Sequence, residues 1–95
     1  MDHSAITERI EAIRLTAGLT RAAMARFAGM APQQYSDTVS GKVPNKSIRP
    51  RAWSVDHLER IAEALGQSLD WIIRGRGKMR YITQAAISKA QLPRD

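Results

Sequence analysis

Apolar residues recur every three or four positions along much of this chain, and a glycine closes each periodic stretch. That spacing puts the apolar side chains on one face of an α-helix, so each stretch predicts a helix with one buried side. We expect the first helix at residues 4–17, with Ser4 at its N-cap. The fourth helix should begin after a Ser54 cap, and the fifth should span residues 68–73. The residues expected to be buried on these three helices are Ile6, Ile10, Ile13, Ala17, Val55, Leu58, Ile61, Ala62, Leu65, Leu69 and Ile72.

Two further helices are predicted within residues 19–41, joined by a tight turn. Thr20 can accept a hydrogen bond from a backbone N–H group two or three residues later, and so cap the first of them. Gly29 then ends this helix, because glycine adopts the left-handed conformation without steric cost. Pro32 suits the first position of the next helix, where a backbone N–H group would have no helical partner.

The second helix of this pair, at residues 32–39, has one apolar face and one polar face. Tyr35, Thr38 and Val39 share the apolar face, so we expect them to pack toward the core. Nearly every side chain on the opposite face can donate or accept hydrogen bonds: Gln33, Gln34, Ser36, Asp37 and Ser40. Such a face either contacts a polar partner or is simply solvated.

A helix, a turn and a polar helix at this spacing resemble the DNA-binding motif of the Cro and lambda-repressor family of phage and bacterial regulators. The resemblance covers residues 6–75, and its matching features are Leu19-Thr20, Met24-Ala25, Gly29, Gly41-Lys42 and the ALGQSLDWII segment at residues 64–73. The chain departs from the family at Thr38 and Val39, where an aliphatic residue and often Glu usually stand. The link that follows Gly41 is also longer than in the family.

The resemblance implies an all-α fold, a compact five-helix lambda-repressor-like DNA-binding domain over residues 1–77, with the helix-turn-helix at residues 19–41. Residues 78–95 are then a C-terminal extension. Its alanine-rich part predicts a sixth helix at residues 83–91, whereas the alternation just before it, at residues 79–83, would suit a short strand. Either form could mediate dimerisation, and the alternative is a tail docked on its own domain.

Gln33 is the first candidate to read a DNA base. It lies in the first turn of the polar helix, and a glutamine amide can make paired hydrogen bonds to adenine in the major groove. Gln34, Ser36 and Asp37 are the next candidates, with Asp37 able to accept a hydrogen bond from cytosine. The residues expected to contact phosphate or the minor groove are Thr20, Arg21, Ser40, Lys42, Lys46, Arg49 and Arg51.

The charge distribution adds a second reason to expect an anionic partner. The formal net charge is +6 over 95 residues, and it is unevenly spread. Residues 42–51 hold four Lys/Arg and no acid, and residues 74–95 hold six Lys/Arg against Asp95. The remaining segments are balanced or acidic. Phosphate contacts supply much of the affinity for DNA, although a basic loop can also be merely solvated.

Several classes of protein are disfavoured by composition. The chain has no cysteine, so it has no disulfide and no thiolate metal site. No run of apolar residues approaches the length of a membrane span, and residues 1–11 do not resemble a secretory signal, so we expect a cytoplasmic protein. His3 is expected in a frayed end and His57 facing solvent. Because neither has metal-site or catalytic spacing to other residues, we expect no metal, no cofactor and no enzyme activity.

These observations predict a sequence-specific transcriptional regulator, a repressor that binds a near-palindromic operator on double-stranded DNA as a homodimer. The alternative is an antitoxin-type interaction module, whose tail neutralises a partner protein and which also regulates its own synthesis. A third possibility is a protein that packages nucleic acid without sequence specificity. It is disfavoured because such a protein has little need of a polar helix that contacts bases.

Overall fold

The computed structural model describes residues 2–41 and 52–91, with side chains described as far as Lys89. Six α-helices lie in these residues: α1 (His3–Ala17), α2 (Arg21–Ala28), α3 (Pro32–Ser40), α4 (Val55–Leu65), α5 (Leu69–Arg74) and α6 (Gln84–Gln91). The described residues contain no strand, which confirms the all-α prediction. The C-terminal extension is therefore helical at α6, and the alternative of a short strand at residues 79–83 is wrong.

Short polar side chains begin most of these helices. Thr20, Ser54 and Ser68 each accept a hydrogen bond from the backbone N–H three residues later, at 3.1, 3.2 and 3.3 Å. The predicted cap of α1 is wrong, since Asp2 rather than Ser4 accepts from the Ala5 N–H, at 3.2 Å. Both residue types are good N-caps, and a cap at Asp2 starts the helix two residues earlier than a cap at Ser4 would. Helices α1 to α5 all end at a glycine with positive φ, as their spacing predicted.

The core is a single cluster to which every described helix contributes. Ile6, Ile10 and Ile13 are fully buried along α1, and each contributes roughly 1.5–3 kcal/mol through removal of its side chain from water. The expected burial of Val55 is wrong, because 45% of this residue is exposed. Val55 lies in the first turn of α4, and two residues before it Trp53 is buried in the core.

Trp53 joins three parts of the fold. Its ring meets Tyr35 of α3 edge to face, with centroids 5.7 Å apart and planes inclined at 71°. Its indole N–H donates to the hydroxyl of Thr7 on α1 at 2.9 Å, so the buried polar atom is satisfied. Trp53, which lies just before the N-cap of α4, therefore connects α3 with α1.

Helix α6 packs on its own domain, against α2 and α4. Buried Ile82 joins the segment before it to the core, and Thr83 caps the helix by accepting from the Ala86 N–H at 3.2 Å. This is the docked arrangement that was the alternative to a dimer contact. A role of residues 78–95 in dimerisation stays a prediction.

Candidate nucleic-acid interface

Helix α3 is held to the protein by the face that the sequence predicted. Tyr35 is fully buried, and only 1% of Thr38 is exposed. The Thr38 hydroxyl donates to the Gln34 carbonyl one turn earlier at 2.8 Å, which satisfies the buried oxygen within the helix itself. A threonine can therefore occupy this core position. Val39 is half-buried beside it.

The opposite face of α3 carries the candidate base-reading residues. Gln33 and Ser40 are exposed, whereas Gln34, Ser36 and Asp37 are half-buried. The Gln33 amide donates to Asp37 Oδ1 at 2.9 Å, one turn further along the same face. This contact restricts the rotation of the Gln33 side chain. The amide oxygen and the second amide N–H of Gln33 make no hydrogen bond within the described residues, so both can face a partner.

The carboxylate of Glu11, on α1, is the main polar link to α3. Glu11 Oε2 accepts a hydrogen bond from the Tyr35 hydroxyl at 2.8 Å and from Arg14 Nε at 2.9 Å. Glu11 Oε1 accepts from Arg14 Nη2, also at 2.9 Å, so Arg14 and Glu11 form a bidentate ion pair. Arg14 Nη1 then donates to the Leu19 carbonyl just before α2, at 3.0 Å. One carboxylate thus connects α1 with α3 directly and with the start of α2 through Arg14.

The ionisation of these groups follows from the same contacts. Burial opposes the charge on Glu11, but hydrogen bonds from Arg14 and Tyr35 outweigh it and hold the pKa of the Glu11 carboxyl below its usual value. The hydrogen bond to Glu11 raises the pKa of Arg14. Burial, and then the donated hydrogen bond to Glu11, raise the pKa of the Tyr35 phenol well above its ordinary range. At neutral pH this network therefore contains an anion, a cation and a neutral phenol.

The start of α2 holds two of the three candidate phosphate contacts that lie in the described residues, and the third is Ser40 at the end of α3. Thr20 is exposed, and its hydroxyl oxygen caps α2, which leaves its hydrogen available to donate. The Arg21 guanidinium lies 3.8 Å from Glu11 and keeps 48% of its side chain exposed. A long, exposed ion pair of this kind contributes little, so a phosphate can compete for Arg21.

Two histidines lie differently from their predicted positions. His3 begins α1 rather than a frayed end, and its Nε2 lies 3.0 Å from the Thr38 carbonyl near the end of α3. His57 is half-buried rather than solvent-facing, and its Nδ1 is buried with no hydrogen-bond partner among the described residues. His3 therefore adds a second polar link between α1 and α3, the first being Glu11.

The structure brings some of the predicted site residues together. Gln33, Asp37 and Ser40 share one face of α3, at spacings of four and three residues, and the Ser40 hydroxyl donates to the Asp37 carbonyl at 3.3 Å. Thr20 and Arg21 lie at the N-terminus of α2. The remaining predicted phosphate contacts fall outside the described residues, and their roles stay predictions: Lys42, Lys46, Arg49 and Arg51.

The sequence did not predict the residues on α1 that link this helix to α3 and to the start of α2, namely Glu11, Arg14 and His3. The three-residue spacing of Glu11 and Arg14 indicates an ion pair on one helix, but nothing local indicates that Tyr35 joins it. In the part of the chain that the structure describes, no group of three or more His, Asp or Glu side chains is arranged to hold a metal ion. No helix in these residues is both long enough and apolar enough to span a bilayer.

Comparison of the chain with protein-family models, with curated proteins and with solved structures finds no match.

Proposed function

We propose that this chain is a sequence-specific regulator of transcription that reads double-stranded DNA with the exposed face of α3. The observation that carries the proposal is the division of α3 into two faces. Tyr35 and Thr38 fix one face in the core, and Gln33 stands exposed in the first turn of the other. A helix held in this way can enter a major groove while its own packing remains intact.

The polar groups at the surface suit the two kinds of contact that such a protein makes. Base readout needs a side chain with both a donor and an acceptor in a defined orientation, and the hydrogen bond to Asp37 orients Gln33. Positioning needs phosphate contacts beside the reading helix. Thr20, Arg21 and the backbone N–H groups of the first turn of α2 supply donors for these.

In this proposal the protein is a homodimer that represses a promoter. Two copies of α3 would enter successive major grooves about 34 Å apart, on a near-palindromic operator. Occupancy of that operator would exclude the polymerase. Because bacterial DNA lies in the cytoplasm, the proposed role also implies a cytoplasmic protein.

The antitoxin alternative requires the C-terminal extension to reach a partner protein. In the described part of that extension, Ile82 is buried and α6 packs on α2 and α4. A segment engaged with its own core must be released before it can bind a partner, which favours the regulator.

Selection of bound sequences from a pool of random DNA duplexes tests the proposal with the full chain at moderate salt. We expect enrichment of two related half-sites whose centres lie about 10 base pairs apart. Sedimentation equilibrium on the same protein should give the mass of a dimer. A pool that shows no enriched sequence after several rounds would refute the regulator, and a monomer both free and bound to DNA would refute the two-fold arrangement.

A further inference from the structure

Residues 74–81, RGRGKMRY, form a strongly basic segment that runs from the last residue of α5 toward α6, and we name it the basic strip. Arg74 is paired with Asp70 on α5 at 2.8 Å. Three more cations follow at alternate positions, Arg76, Lys78 and Arg80, and all are exposed. None of these three makes an ion pair with another described residue, and the sequence holds no Asp or Glu from residue 71 to residue 94. Among the described residues, Arg76, Lys78 and Arg80 therefore carry positive charge that no acidic side chain pairs.

The backbone of residues 75–81 in the basic strip is anchored, although it is neither helix nor strand. Gln67, only 6% exposed, accepts from the Arg80 N–H and donates to the Arg80 carbonyl, both at 2.8 Å. The same amide also donates to the Leu65 carbonyl at 3.1 Å. Met79 is half-buried and Ile82 is buried on either side of this clamp. Cationic side chains on an anchored backbone lose less conformational entropy on binding than those of a free tail.

Arg9 fixes the other end of the basic strip. Its guanidinium donates to the Ile72 carbonyl at the C-terminal end of α5, at 2.9 Å. Gly75 leaves room for this contact, because a Cβ there would lie 2.6 Å from Arg9 Nη2. The half-buried Arg9 therefore adds positive charge next to Gly75, at the start of the basic strip.

The aromatic ring of Tyr81 ends the basic strip and is 86% exposed. Tyr81 follows Arg80 directly and precedes buried Ile82, so its backbone is held by the same anchor. Proteins that bind single-stranded nucleic acid combine cations that contact the phosphate backbone with aromatic rings on which bases stack. A duplex leaves the faces of its internal bases covered, whereas a single strand exposes them. The ring therefore favours a single strand over a duplex as the partner of this surface.

We propose that the basic strip binds single-stranded nucleic acid, with Arg76, Lys78 and Arg80 on successive phosphates and Tyr81 stacked on an unpaired base. This activity is separate from the proposed reading of duplex DNA by α3. It shares no residue with that surface, so either activity can be lost without the other.

Fluorescence anisotropy with labelled oligonucleotides tests this proposal on the full chain. The probes are an oligo-dT, an oligo-rU and a random-sequence duplex, each titrated at several salt concentrations. We expect Tyr81→Ala to weaken binding to a single strand about tenfold and binding to the duplex little, because one base then has no ring to stack on. Tyr81→Phe keeps the ring and should bind as the wild type does. A preference for oligo-dT or for oligo-rU identifies DNA or RNA as the partner, and either preference supports the proposal.

The charged side chains are tested by replacing Arg76, Lys78 and Arg80 together with glutamine. The slope of log affinity against log salt for a single strand should become shallower by about 0.7 for each phosphate that is no longer neutralised. The control is Arg26→Gln, which removes one exposed cation from α2, at a residue that is not part of the basic strip. Melting followed by circular dichroism verifies that each variant is folded.

Three results would overturn the proposal. The first is a wild-type affinity for both single strands no greater than that of the triple glutamine variant. The second is an equal loss of affinity for single strands and duplex in the triple variant with no effect of Tyr81→Ala, which would make the basic strip a duplex phosphate contact. The third is tighter binding to vesicles of phosphatidylserine and phosphatidylcholine than to any oligonucleotide. None of these results bears on Gln33, so the proposed regulator would be judged separately.

Discussion

Replacement of Glu11 by glutamine should weaken the fold that supports α3. The wild-type carboxylate accepts two hydrogen bonds from Arg14 and one from the Tyr35 hydroxyl. A glutamine of the same size offers one oxygen and one NH2 group. If its oxygen stays with Tyr35, the NH2 group faces the Arg14 guanidinium, and two donors then oppose each other.

The size of the destabilisation can be estimated from the hydrogen bonds that the variant cannot make. A hydrogen bond to a charged group contributes about 1.5–3 kcal/mol, and the side chains of Glu11 and Arg14 are each only 17% exposed, so water substitutes poorly for the carboxylate. One acceptor site survives in the variant, and Arg14 keeps its hydrogen bond to the Leu19 carbonyl. We therefore expect Glu11→Gln to lower the free energy of unfolding by about 2 kcal/mol, and the melting temperature by about 10 °C.

The effect should depend on pH in a defined direction. The pKa of Glu11 is lower in the folded protein than in the unfolded chain, where it is about 4.3. The stabilisation is therefore complete above the pKa of the unfolded chain, and it is lost as the pH falls through the lower pKa of the folded state. Urea unfolding, followed by the fluorescence of Trp53 and Trp71 from neutral pH down to about pH 3, measures this.

The matched control is Glu59→Gln on α4, because Glu59 is exposed and makes no hydrogen bond or ion pair with another described residue. We expect the free energy of unfolding of Glu59→Gln to equal that of the wild type at every pH. For Glu11→Gln it should be lower than that of the wild type at neutral pH and approach the wild-type value in acid. This account of Glu11 would be refuted if the difference in unfolding free energy between the wild type and Glu11→Gln stayed constant from neutral pH to about pH 3. An equal effect of the two substitutions would refute it as well.

Two further predictions concern the packing around the basic strip. Gly75→Ala should destabilise the protein more than Gly18→Ala. Both positions have positive φ, which costs a non-glycine residue about 1–2 kcal/mol. Only at Gly75 does the added Cβ also meet the Arg9 guanidinium. Equal decreases in melting temperature for the two variants would contradict this prediction. Gln67→Met should remove both hydrogen bonds to Arg80 and speed hydrogen exchange in α6 while α1 stays protected, and unchanged exchange in α6 would show that the clamp does not hold this segment.

The sequence predicted the helices well because their signals are local. Apolar residues at helical spacing, a capping residue before a stretch and a glycine after it all lie within a few positions of one another. Thr20, Gly29 and Pro32 bound α2 and α3 where these rules predict. The error at the start of α1 has a local origin too, because Asp2 and Ser4 are both good caps and nothing in the sequence ranks them.

The candidate site could be predicted only in part, since its support is long-range. Glu11 and Tyr35 are 24 positions apart, and each has an ordinary local explanation, one as a solvated acid and the other as a core aromatic. Their hydrogen bond depends on how α1 crosses α3, which no local pattern encodes. The clamp of Gln67 on Arg80 was missed for the same reason, because a buried glutamine becomes recognisable only through its partner.

The prediction that Val55 is buried was wrong for a different reason. Its spacing to Leu58 and Ile61 is helical, so periodicity assigns it to the buried face. Periodicity does not show where the packed surface ends, however, and at the start of α4 Trp53 is buried whereas Val55 is 45% exposed.

The affinity of Gln33→Ala for the selected duplex and for a random duplex tests the central claim most directly. The control is Gln84→Ala, because Gln84 is an exposed glutamine in the first turn of a different helix, α6. We predict that Gln33→Ala loses about 1–3 kcal/mol on the selected duplex and far less on the random one, while Gln84→Ala changes neither. Equal losses on the two duplexes, or no loss on the selected one, would contradict the reading of DNA by α3.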